Sequence, residues 1–256
     1  MSPLTTTAEA YDRFLSERHR PAHGRRTAER WAAFLLPHLR PDMRLLDLGC
    51  GPGSITAGLG TRSIGVDLSP VAVAGVPVVR GDGGALPFQD AAFDAIFANA
   101  LLQHVGDPLA VLTEARRVAR PGAVIGVGDA DWDSRLLHPE DPLLERGDRI
   151  REAVRTTGDV RIGRRLRELL TAAGFVAVEL TVTGTAAGTP EAVAGAGAFE
   201  GSWFEAPAVV AHVTELGLSE PDEMAAIARA WRRWSTEPGA CSASTWFTAV
   251  GWAPPA

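Results

Sequence analysis

The sequence has few cysteines and a single tyrosine, and it lacks the long charged or apolar runs that identify several classes of protein. Only Cys50 and Cys241 occur, so no disulfide framework is expected, and the reducing cytoplasm fits this usage. Neither cysteine has the spacing of a zinc site, and we expect no metal. No run of about 18 apolar residues is present to cross a membrane. Residues 1–10 lack the basic start and apolar core of a secretory signal.

A concentrated positive face is also missing. The net charge is −6, and the short basic patch at residues 161–167 is typical of the solvated side of a helix. We therefore expect no nucleic-acid partner, because phosphate binding needs clustered cations. The 256 residues, 46% hydrophobic and 22% charged, describe an ordinary globular chain. They allow one large α/β domain with an added cap, or two small domains, in a monomer or homodimer.

A glycine-rich turn within residues 45–56, LLDLGCGPGSIT, is the most informative stretch. Its first residues predict a buried strand, and Gly49, Gly51 and Gly53 follow at alternate positions. A turn without side chains leaves backbone N–H groups pointing at open space, and we expect a helix to begin there with its positive end facing the same space. The pattern indicates a cradle in which a ligand approaches the main chain.

Two classes of ligand compete for this cradle. A dinucleotide site has the spacing G-x-G-x-x-G, whereas here the spacing is G-x-G-x-G and Ser54 stands where the last glycine would be. Asp47, two residues before the turn, would repel a pyrophosphate but suits a cationic or amino-bearing ligand. S-adenosylmethionine has a sulfonium and an amino group and no phosphate. A nicotinamide-dependent oxidoreductase stays as an alternative, although the third glycine and a Tyr-Lys pair are missing.

Asp67 ends a second predicted strand, residues 64–67, and follows the glycines by 14 to 18 residues. A carboxylate at this place can accept two hydrogen bonds from the 2′- and 3′-hydroxyls of a ribose. The other interpretation is a strand-end cap for the next helix. The crossovers near here are short, since residues 70–74 make less than a usual helix of 10 to 12 residues.

From residue 45 to residue 131 the chain closely resembles the seven-strand, Rossmann-like methyltransferases that use S-adenosylmethionine, especially small-molecule enzymes of the ubiquinone and menaquinone type. The resemblance implies an α/β fold, with a mostly parallel sheet, an antiparallel last strand, helices on both faces and a helical lid. It also implies S-adenosyl-L-methionine as the cofactor and S-adenosyl-L-homocysteine as the product. The tail SASTWFTAVGWAP is then the last strand, between the fifth and sixth.

The resemblance assigns cofactor contacts residue by residue. Asp82 and the backbone of Gly83, after the predicted third strand, would meet the edge of the adenine ring. The fourth strand is predicted at residues 93–98, and the segment that follows it would close the methionine end of the cofactor. The full predicted cofactor-binding set is Asp47, Gly49, Cys50, Gly51, Gly53, Asp67, Leu68, Asp82, Gly83, Asn99 and Ala100.

Three residues are candidates for a catalytic base. His104 follows the fourth strand and has an ordinary pKa near neutrality, although a histidine here can also cap a helix or pack. Asp129 and Asp131 follow the predicted fifth strand, residues 123–127, at the edge where ligands of open α/β sheets bind. Aspartates at strand ends are also common loop residues, so both interpretations stay open.

The sequence divides into a predicted N-terminal helical cap at residues 1–40, a core at 41–183 and 240–256, and a lid or insertion at 184–239. Ser219 and Asp222 form a capping-box pattern before a helix with an apolar stripe at Met224, Ile227, Trp231 and Trp234. Helices are also expected at residues 9–19, 27–36, 108–119, 139–157 and 162–173, and a sixth strand at 175–183.

Aromatic residues suggest an apolar, aromatic or isoprenoid acceptor. The predicted substrate contacts are Tyr11, Trp132, Trp203 and Trp231, although such residues can equally form a core or dock a partner subunit. We therefore expect an enzyme that transfers a methyl group from S-adenosylmethionine to an oxygen, nitrogen or carbon atom of a small molecule. The alternative within the same fold is a protein that binds the cofactor and catalyses a reaction without methyl transfer, such as a cyclisation.

Overall fold

A computed structural model describes residues 6–68, 75–155 and 157–256 of the chain. Seven strands form one sheet. Their bounds are β1 Arg44–Leu48, β2 Arg62–Asp67, β3 Val78–Arg80, β4 Phe93–Asn99, β5 Ala119–His138, β6 Val176–Ala187 and β7 Cys241–Trp252. The predicted second crossover, residues 70–74, lies outside the described residues.

The strands lie in the order β3-β2-β1-β4-β5-β7-β6. Strands β1 to β5 pair in parallel, with Leu48 opposite Ala98 at the carboxyl ends of β1 and β4. The last strand is antiparallel, since Gly122 N–H donates to the carbonyl of Ala253 at 3.1 Å and Ala253 N–H donates back to Ala123 at 2.8 Å. The predicted fold class, including the position of the last strand between the fifth and sixth, is confirmed.

Eight helices accompany the sheet in the described residues. They are α1 Thr7–His23, α2 Ala28–Trp31, α3 Pro108–Val118, α4 Pro142–Ala153, α5 Leu166–Ala172, α6 Pro190–Glu205, α7 Pro207–Glu215 and α8 Pro221–Trp234. The prediction for α3 is confirmed, because Asp107 caps Ala110 N–H at 2.9 Å and Pro108 occupies the first turn. The helix predicted at residues 27–36 was too long: it ends at Trp31, and a turn of 3₁₀ helix, Leu36–His38, follows later.

Two compact units divide the chain. The helical unit comprises the described residues of Met1–His19, Ser134–Thr156 and Gly184–Ser244, and the sheet unit comprises Arg20–Asp133, Thr157–Thr183 and Thr245–Ala256. The helical unit thus includes more of the chain than the predicted lid at 184–239.

The helical unit has its own apolar core. All four residues of the predicted stripe on α8 are at most 3% exposed, which confirms that this face is buried: Met224, Ile227, Trp231 and Trp234. The capping-box prediction at the start of α8 was wrong in detail. Glu220 is the N-cap residue and makes no side-chain cap, while the Ser219 hydroxyl donates to Glu223 at 2.6 Å.

The sheet unit is built on buried strands. Every residue of β1 after Arg44 is buried, as expected for a strand covered on both faces. Strand β5 is much longer than the five residues predicted, because it continues from Ala119 to His138. Among the described residues, no helix is long and apolar enough to cross a membrane.

Candidate functional site

The glycine turn follows directly on β1 and has the conformation that its sequence predicts. Gly49, Gly51 and Gly53 have φ values of +68°, +51° and +70°, a region that residues with a Cβ atom rarely adopt. Gly49 N–H donates to the carbonyl of Val66 at 2.8 Å, which ties the turn to β2. A Cβ atom at Gly51 would meet no atom within 4 Å, so the main chain there borders open space.

The helix of less than two turns expected after this turn is shorter still. Thr56–Gly58 forms a single turn of 3₁₀ helix, and Gly60 ends the segment with a φ of +67°. The prediction that a helix dipole faces the turn was therefore wrong, since three residues cannot sum peptide dipoles as a long helix does. The N–H groups of residues 49–51 and 53 all donate to acceptors within the protein, so the prediction that they point at open space was also wrong. The polar character of the turn comes from two carboxylates.

The first carboxylate is Asp67, at the end of β2. Its Oδ2 atom accepts a hydrogen bond from Gly51 N–H at 2.9 Å. The side chain is half-buried beside the turn. This bond fixes the carboxylate against the middle glycine, and an ionised carboxylate offers two oxygens with about four acceptor positions. Asp67 therefore lies where it can accept hydrogen bonds from hydroxyl or amine groups of a ligand next to the main chain of Gly51.

The second carboxylate is Asp47, inside β1. It is 3% exposed, and the Thr56 hydroxyl donates to its Oδ2 atom at 2.5 Å. Burial raises the pKa of Asp47 to about 7, a shift to which repulsion by Asp67 adds and which the Thr56 bond opposes. A cation near this carboxyl group would favour its ionised form, whereas a pyrophosphate would oppose it.

Cys50, within the turn, packs rather than reacts. A Cβ atom at Gly65 would lie 2.5 Å from the Cys50 sulfur, so the thiol fits over a glycine of β2. Burial, with added repulsion from Asp47 and Asp67, raises the pKa of Cys50 to about 12. A thiol that stays protonated is a poor nucleophile. Leu68, by contrast, is 66% exposed just after β2.

The predicted adenine contacts lie in a tight turn after β3. The Asp82 side chain is exposed, and its Oδ1 atom accepts from Gly84 N–H at 2.9 Å. Gly81 N–H donates to the carbonyl of Asp67 at 3.1 Å, which joins this turn to the end of β2. A Cβ atom at Gly83 would lie 3.3 Å from Val111 in α3. The turn thus follows β3 at the same edge of the sheet as Asp67.

The end of β4 has an unusual backbone. Ala100 has a φ of +56°, one of the positive values found at residues other than glycine, and its N–H donates to the carbonyl of Gly128 at 2.8 Å. Leu101 then approaches the glycine turn, since a Cβ atom at Gly49 would lie 2.8 Å from it. Asn99, 8% exposed, precedes this bend. The predicted residues Asn99 and Ala100 therefore lie on the strand next to β1, in a kinked segment.

The three candidate bases differ in their surroundings. His104 is exposed, at the end of a short 3₁₀ turn, Leu102–His104. Asp129 is fully buried, and its carboxylate accepts from Gln103 N–H at 3.2 Å and Ala130 N–H at 3.0 Å. Asp131, 2% exposed, accepts from Arg164 Nη2 at 2.7 Å and also from its Nε. The two aspartates thus hold loops and an arginine in place, and their catalytic role stays a prediction.

The predicted substrate contacts fall in different units. Tyr11, Trp203 and Trp231 lie in the core of the helical unit and are 8%, 2% and 1% exposed. The Tyr11 ring stacks on His212 at a centroid distance of 4.9 Å and meets Trp203 edge to face at 6.3 Å. Trp132 is half-buried on β5 in the sheet unit, and its backbone N–H donates to the carbonyl of Val160 at 3.0 Å.

Several residues of the sheet unit were missed from the sequence. Thr56 and Arg164 are partners of the predicted carboxylates, and Trp246 on β7 lies next to Asn99 across Gly128. The arginine patch at residues 161–167 was the available signal for Arg164, because a basic run near several aspartates favours ion pairs. Trp246 is 147 positions from Asn99, so only the pairing of β7 could reveal it.

Comparison with known proteins follows this geometry. Residues 46–127 match the family described as "Methyltransferase domain". The demethylmenaquinone methyltransferase of Roseiflexus sp. (strain RS-1) is 35% identical over 118 residues, 41% of this chain and 47% of that protein. The 27-O-demethylrifamycin SV methyltransferase of Amycolatopsis mediterranei is 32% identical over 139 residues, 47% of this chain and 48% of that protein.

A solved structure shows the same fold. The crystal structure of a putative methyltransferase from Bacillus halodurans superposes with a TM-score of 0.59 at 15% identity, over 88% of this chain and 99% of that one. The chain spans about half the length of the curated relatives it matches. The sequence resemblance to Rossmann-like methyltransferases is thereby confirmed. Residues 46–127 are therefore similar to a methyltransferase domain, and the chain as a whole has the fold of the solved structure.

Proposed function

We propose that this protein transfers a methyl group from S-adenosylmethionine to a small organic acceptor. The observation that carries the proposal is the hydrogen bond from Gly51 N–H to Asp67, at a glycine turn that borders open space. Bare main chain beside an acid is suited to a ribose and a cation. A phosphate carrier would instead meet the negative charges of Asp67 and, once ionised, Asp47.

The residues present fit this cofactor. Asp67 would accept the ribose hydroxyls, and Asp82 with the Gly83 backbone would meet the adenine edge. The other predicted cofactor contacts are Asp47, Gly49, Cys50, Gly53, Leu68, Asn99 and Ala100. Bound S-adenosylmethionine supplies a methyl group already activated on a sulfonium, so the protein has to align the acceptor and exclude water rather than activate an electrophile.

The bound cofactor would supply its methyl group to a nucleophilic oxygen, nitrogen or carbon of the acceptor and would leave as S-adenosyl-L-homocysteine. The acceptor proton would pass to a base or to water. We assign the base to His104 where one is needed, because its side chain is exposed and an imidazole can exchange protons at neutral pH. Asp129 and Asp131 already accept backbone and arginine donors.

The acceptor that we propose is apolar, aromatic or isoprenoid. By their names, two relatives act on a demethylmenaquinone and a demethylrifamycin. Of the predicted acceptor contacts we retain Trp132, on β5 of the sheet unit, because Tyr11, Trp203 and Trp231 belong to the core of the helical unit. Residues 184–239 stay a predicted lid. A cytoplasmic location and a monomeric or homodimeric state stay predictions from the sequence.

Labelled cofactor tests the proposal. Protein, S-adenosylmethionine labelled in its methyl group and a cell extract are incubated, and the expected result is label in an extractable small molecule. Label that stays on the cofactor, despite measured binding, would instead indicate the alternative of a reaction without methyl transfer. A product larger than a metabolite, such as a labelled nucleic acid, would contradict the acceptor class.

The Asp67→Ala variant tests the ribose assignment. Loss of charge-assisted bonds to two hydroxyls should weaken cofactor binding by about 1.5 to 3 kcal/mol. Asp42→Ala is a matched control, since its side chain is 75% exposed before β1 and pairs only loosely with Arg40 at 3.6 Å. Calorimetric titration of both variants gives the affinities. An unchanged affinity in Asp67→Ala would show that the ribose is bound elsewhere.

A further inference from the structure

Two polar side chains converge on one glycine where β4, β5 and β7 meet. Asn99 is the last residue of β4 and pairs in register with Gly128 of β5. A Cβ atom at Gly128 would lie 2.8 Å from Asn99 Oδ1 and 2.9 Å from Trp246 Nε1. Any larger residue would therefore push the amide and the indole apart, and glycine lets both reach the same place.

The polar atoms gathered there are buried without partners. Both amide atoms of Asn99 and the indole nitrogen of Trp246 are shielded from solvent and make no hydrogen bond within the described part of the chain. Asn99 as a whole is 8% exposed. A buried polar group left unsatisfied destabilises the folded protein, whereas an apolar side chain of similar size would not. These atoms therefore lack the partner that a ligand can supply.

The charge nearby indicates the kind of partner. The Arg26 guanidinium lies 4.5 Å from the centre of the Trp31 ring, and that ring meets Trp246 edge to face at 5.1 Å. Burial lowers the pKa of Arg26, and the charge of Asp129 partly offsets this effect. Trp246 can only donate, and the Asn99 amide can turn either atom toward a ligand. Hydrogen-bond donors with a partly desolvated cation on the other side of the Trp31 ring suit an anionic oxygen.

We propose that Asn99 and Trp246, held together over Gly128, form a subsite that binds a carboxylate or phenolate oxygen. The inference rests on the proposed methyl transfer, because it names the chemical group of the cofactor or acceptor that binds at this subsite. Two sources share this chemistry: the carboxylate at the methionine end of the cofactor, and an acidic or phenolic oxygen of the acceptor. The indole N–H and one amide N–H donate to the oxygen, and Arg26 supplies positive charge behind Trp31.

The indole N–H of Trp246 reports directly on the subsite. Protein labelled with ¹⁵N in its tryptophans gives one indole signal per residue, and the signal missing in Trp246→Phe is that of Trp246. Trp252→Phe on the same strand is the matched control, because Trp252 instead meets His38 edge to face at 5.4 Å. Three ligands are added separately: S-adenosylhomocysteine, methylthioadenosine and 4-hydroxybenzoate. Methylthioadenosine lacks the amino-acid end of the cofactor. In a further titration, 4-hydroxybenzoate is added together with methylthioadenosine.

A new hydrogen bond is expected to move the Trp246 proton signal downfield while Trp252 stays in place. A shift with S-adenosylhomocysteine but not methylthioadenosine identifies the cofactor carboxylate, and a shift with 4-hydroxybenzoate identifies the acceptor. Either result supports the subsite. A Trp246 signal that moves with none of the ligands overturns it. If S-adenosylhomocysteine does not bind but 4-hydroxybenzoate moves the signal, the proposed function fails and the subsite remains.

Asn99→Leu separates binding from packing. Because the Asn99 side chain makes no hydrogen bond to the described residues that the variant could lose, the thermal midpoint of the variant should not fall. Affinity for whichever ligand moved the Trp246 signal should drop about tenfold or more, as expected for a lost hydrogen bond to a charged group. An Asn99→Leu protein that binds this ligand unchanged would contradict the assignment. A lowered thermal midpoint with unchanged affinity would show a structural role only.

Discussion

Asp47→Asn tests the buried carboxyl group of β1, whose pKa is raised by burial. The Asp47 carboxyl group is 3% exposed, and burial raises its pKa from an ordinary 3.8 to about 7. A shift of about 3 units at 1.36 kcal/mol per unit corresponds to roughly 4 kcal/mol of folding free energy. The asparagine carbonyl can accept the same Thr56 hydroxyl that Asp47 accepts at 2.5 Å. The variant therefore removes the ionisation and retains most of the local geometry.

The sign of the effect follows from which state holds the proton. Between pH 4 and 7 the folded protein keeps Asp47 protonated while the unfolded chain has lost that proton, so the stability of the wild type falls as pH rises through this window. Below about pH 4 the carboxyl group is neutral in both states. Asparagine has no such dependence, so the variant should be nearly equal to the wild type at pH 4 and up to about 4 kcal/mol more stable at pH 8.

Urea unfolding of both proteins at several pH values between 4 and 8 gives this difference. Asp42→Asn is the control, since Asp42 is exposed and should show no such pH dependence. A difference between wild type and Asp47→Asn that stays constant with pH would refute the reasoning. An Asp47→Asn protein that is less stable at pH 8 would refute it as well, because burial would then favour the charged carboxylate.

The remaining predictions concern the backbone and one buried ion cluster. Ala100→Gly should raise the free energy of unfolding by about 1 kcal/mol, because a Cβ atom is strained at a φ of +56°. Ala98→Gly, in β4 just before it, should lower this free energy. Thermal unfolding measures both. Glu200→Gln should cost about 3 kcal/mol by chemical denaturation, because Arg135 and Arg151 both lie against this half-buried carboxylate.

The same cluster makes stability depend on acid. Burial acts to raise the pKa of Glu200, but the charges of Arg151 and Arg135 outweigh it and lower the pKa below its ordinary value. The contribution of Glu200 is therefore present above about pH 4.5 and is lost as pH falls through the lowered pKa. Glu205→Gln on the same helix, whose partner Arg232 is largely exposed, should show little of this loss.

Much of the sheet could be predicted because local chemistry defines it. The end of β1 before Gly49 was predicted where it is observed, since the run of apolar residues ends at glycines that need a positive φ. The apolar stripe of α8 was equally clear from its helical period. The place of β7 between β5 and β6 came from the family resemblance, because no local pattern reveals which strands pair.

The parts that could not be predicted depend on contacts between distant residues. The pairing of Asp131 with Arg164, 33 positions later, changes what the carboxylate can do, and the sequence shows only a basic patch from which the partner could come. The short 3₁₀ turn after the glycines also differs from the expected helix, because TAGLG contains two glycines that disfavour helix continuation. The Asn99 and Trp246 subsite likewise needs three strands to come together.

Titration calorimetry with S-adenosylmethionine and with NAD tests the central claim most directly. The account predicts that S-adenosylmethionine binds and NAD does not. At pH 6.5 the account also predicts that binding releases protons, because a cation near Asp47 lowers the Asp47 pKa from about 7. The release is measured by repeating the titration in buffers of different ionisation enthalpy. It should vanish in Asp47→Asn. Tight binding of NAD with proton uptake, and no heat with S-adenosylmethionine, would contradict the account.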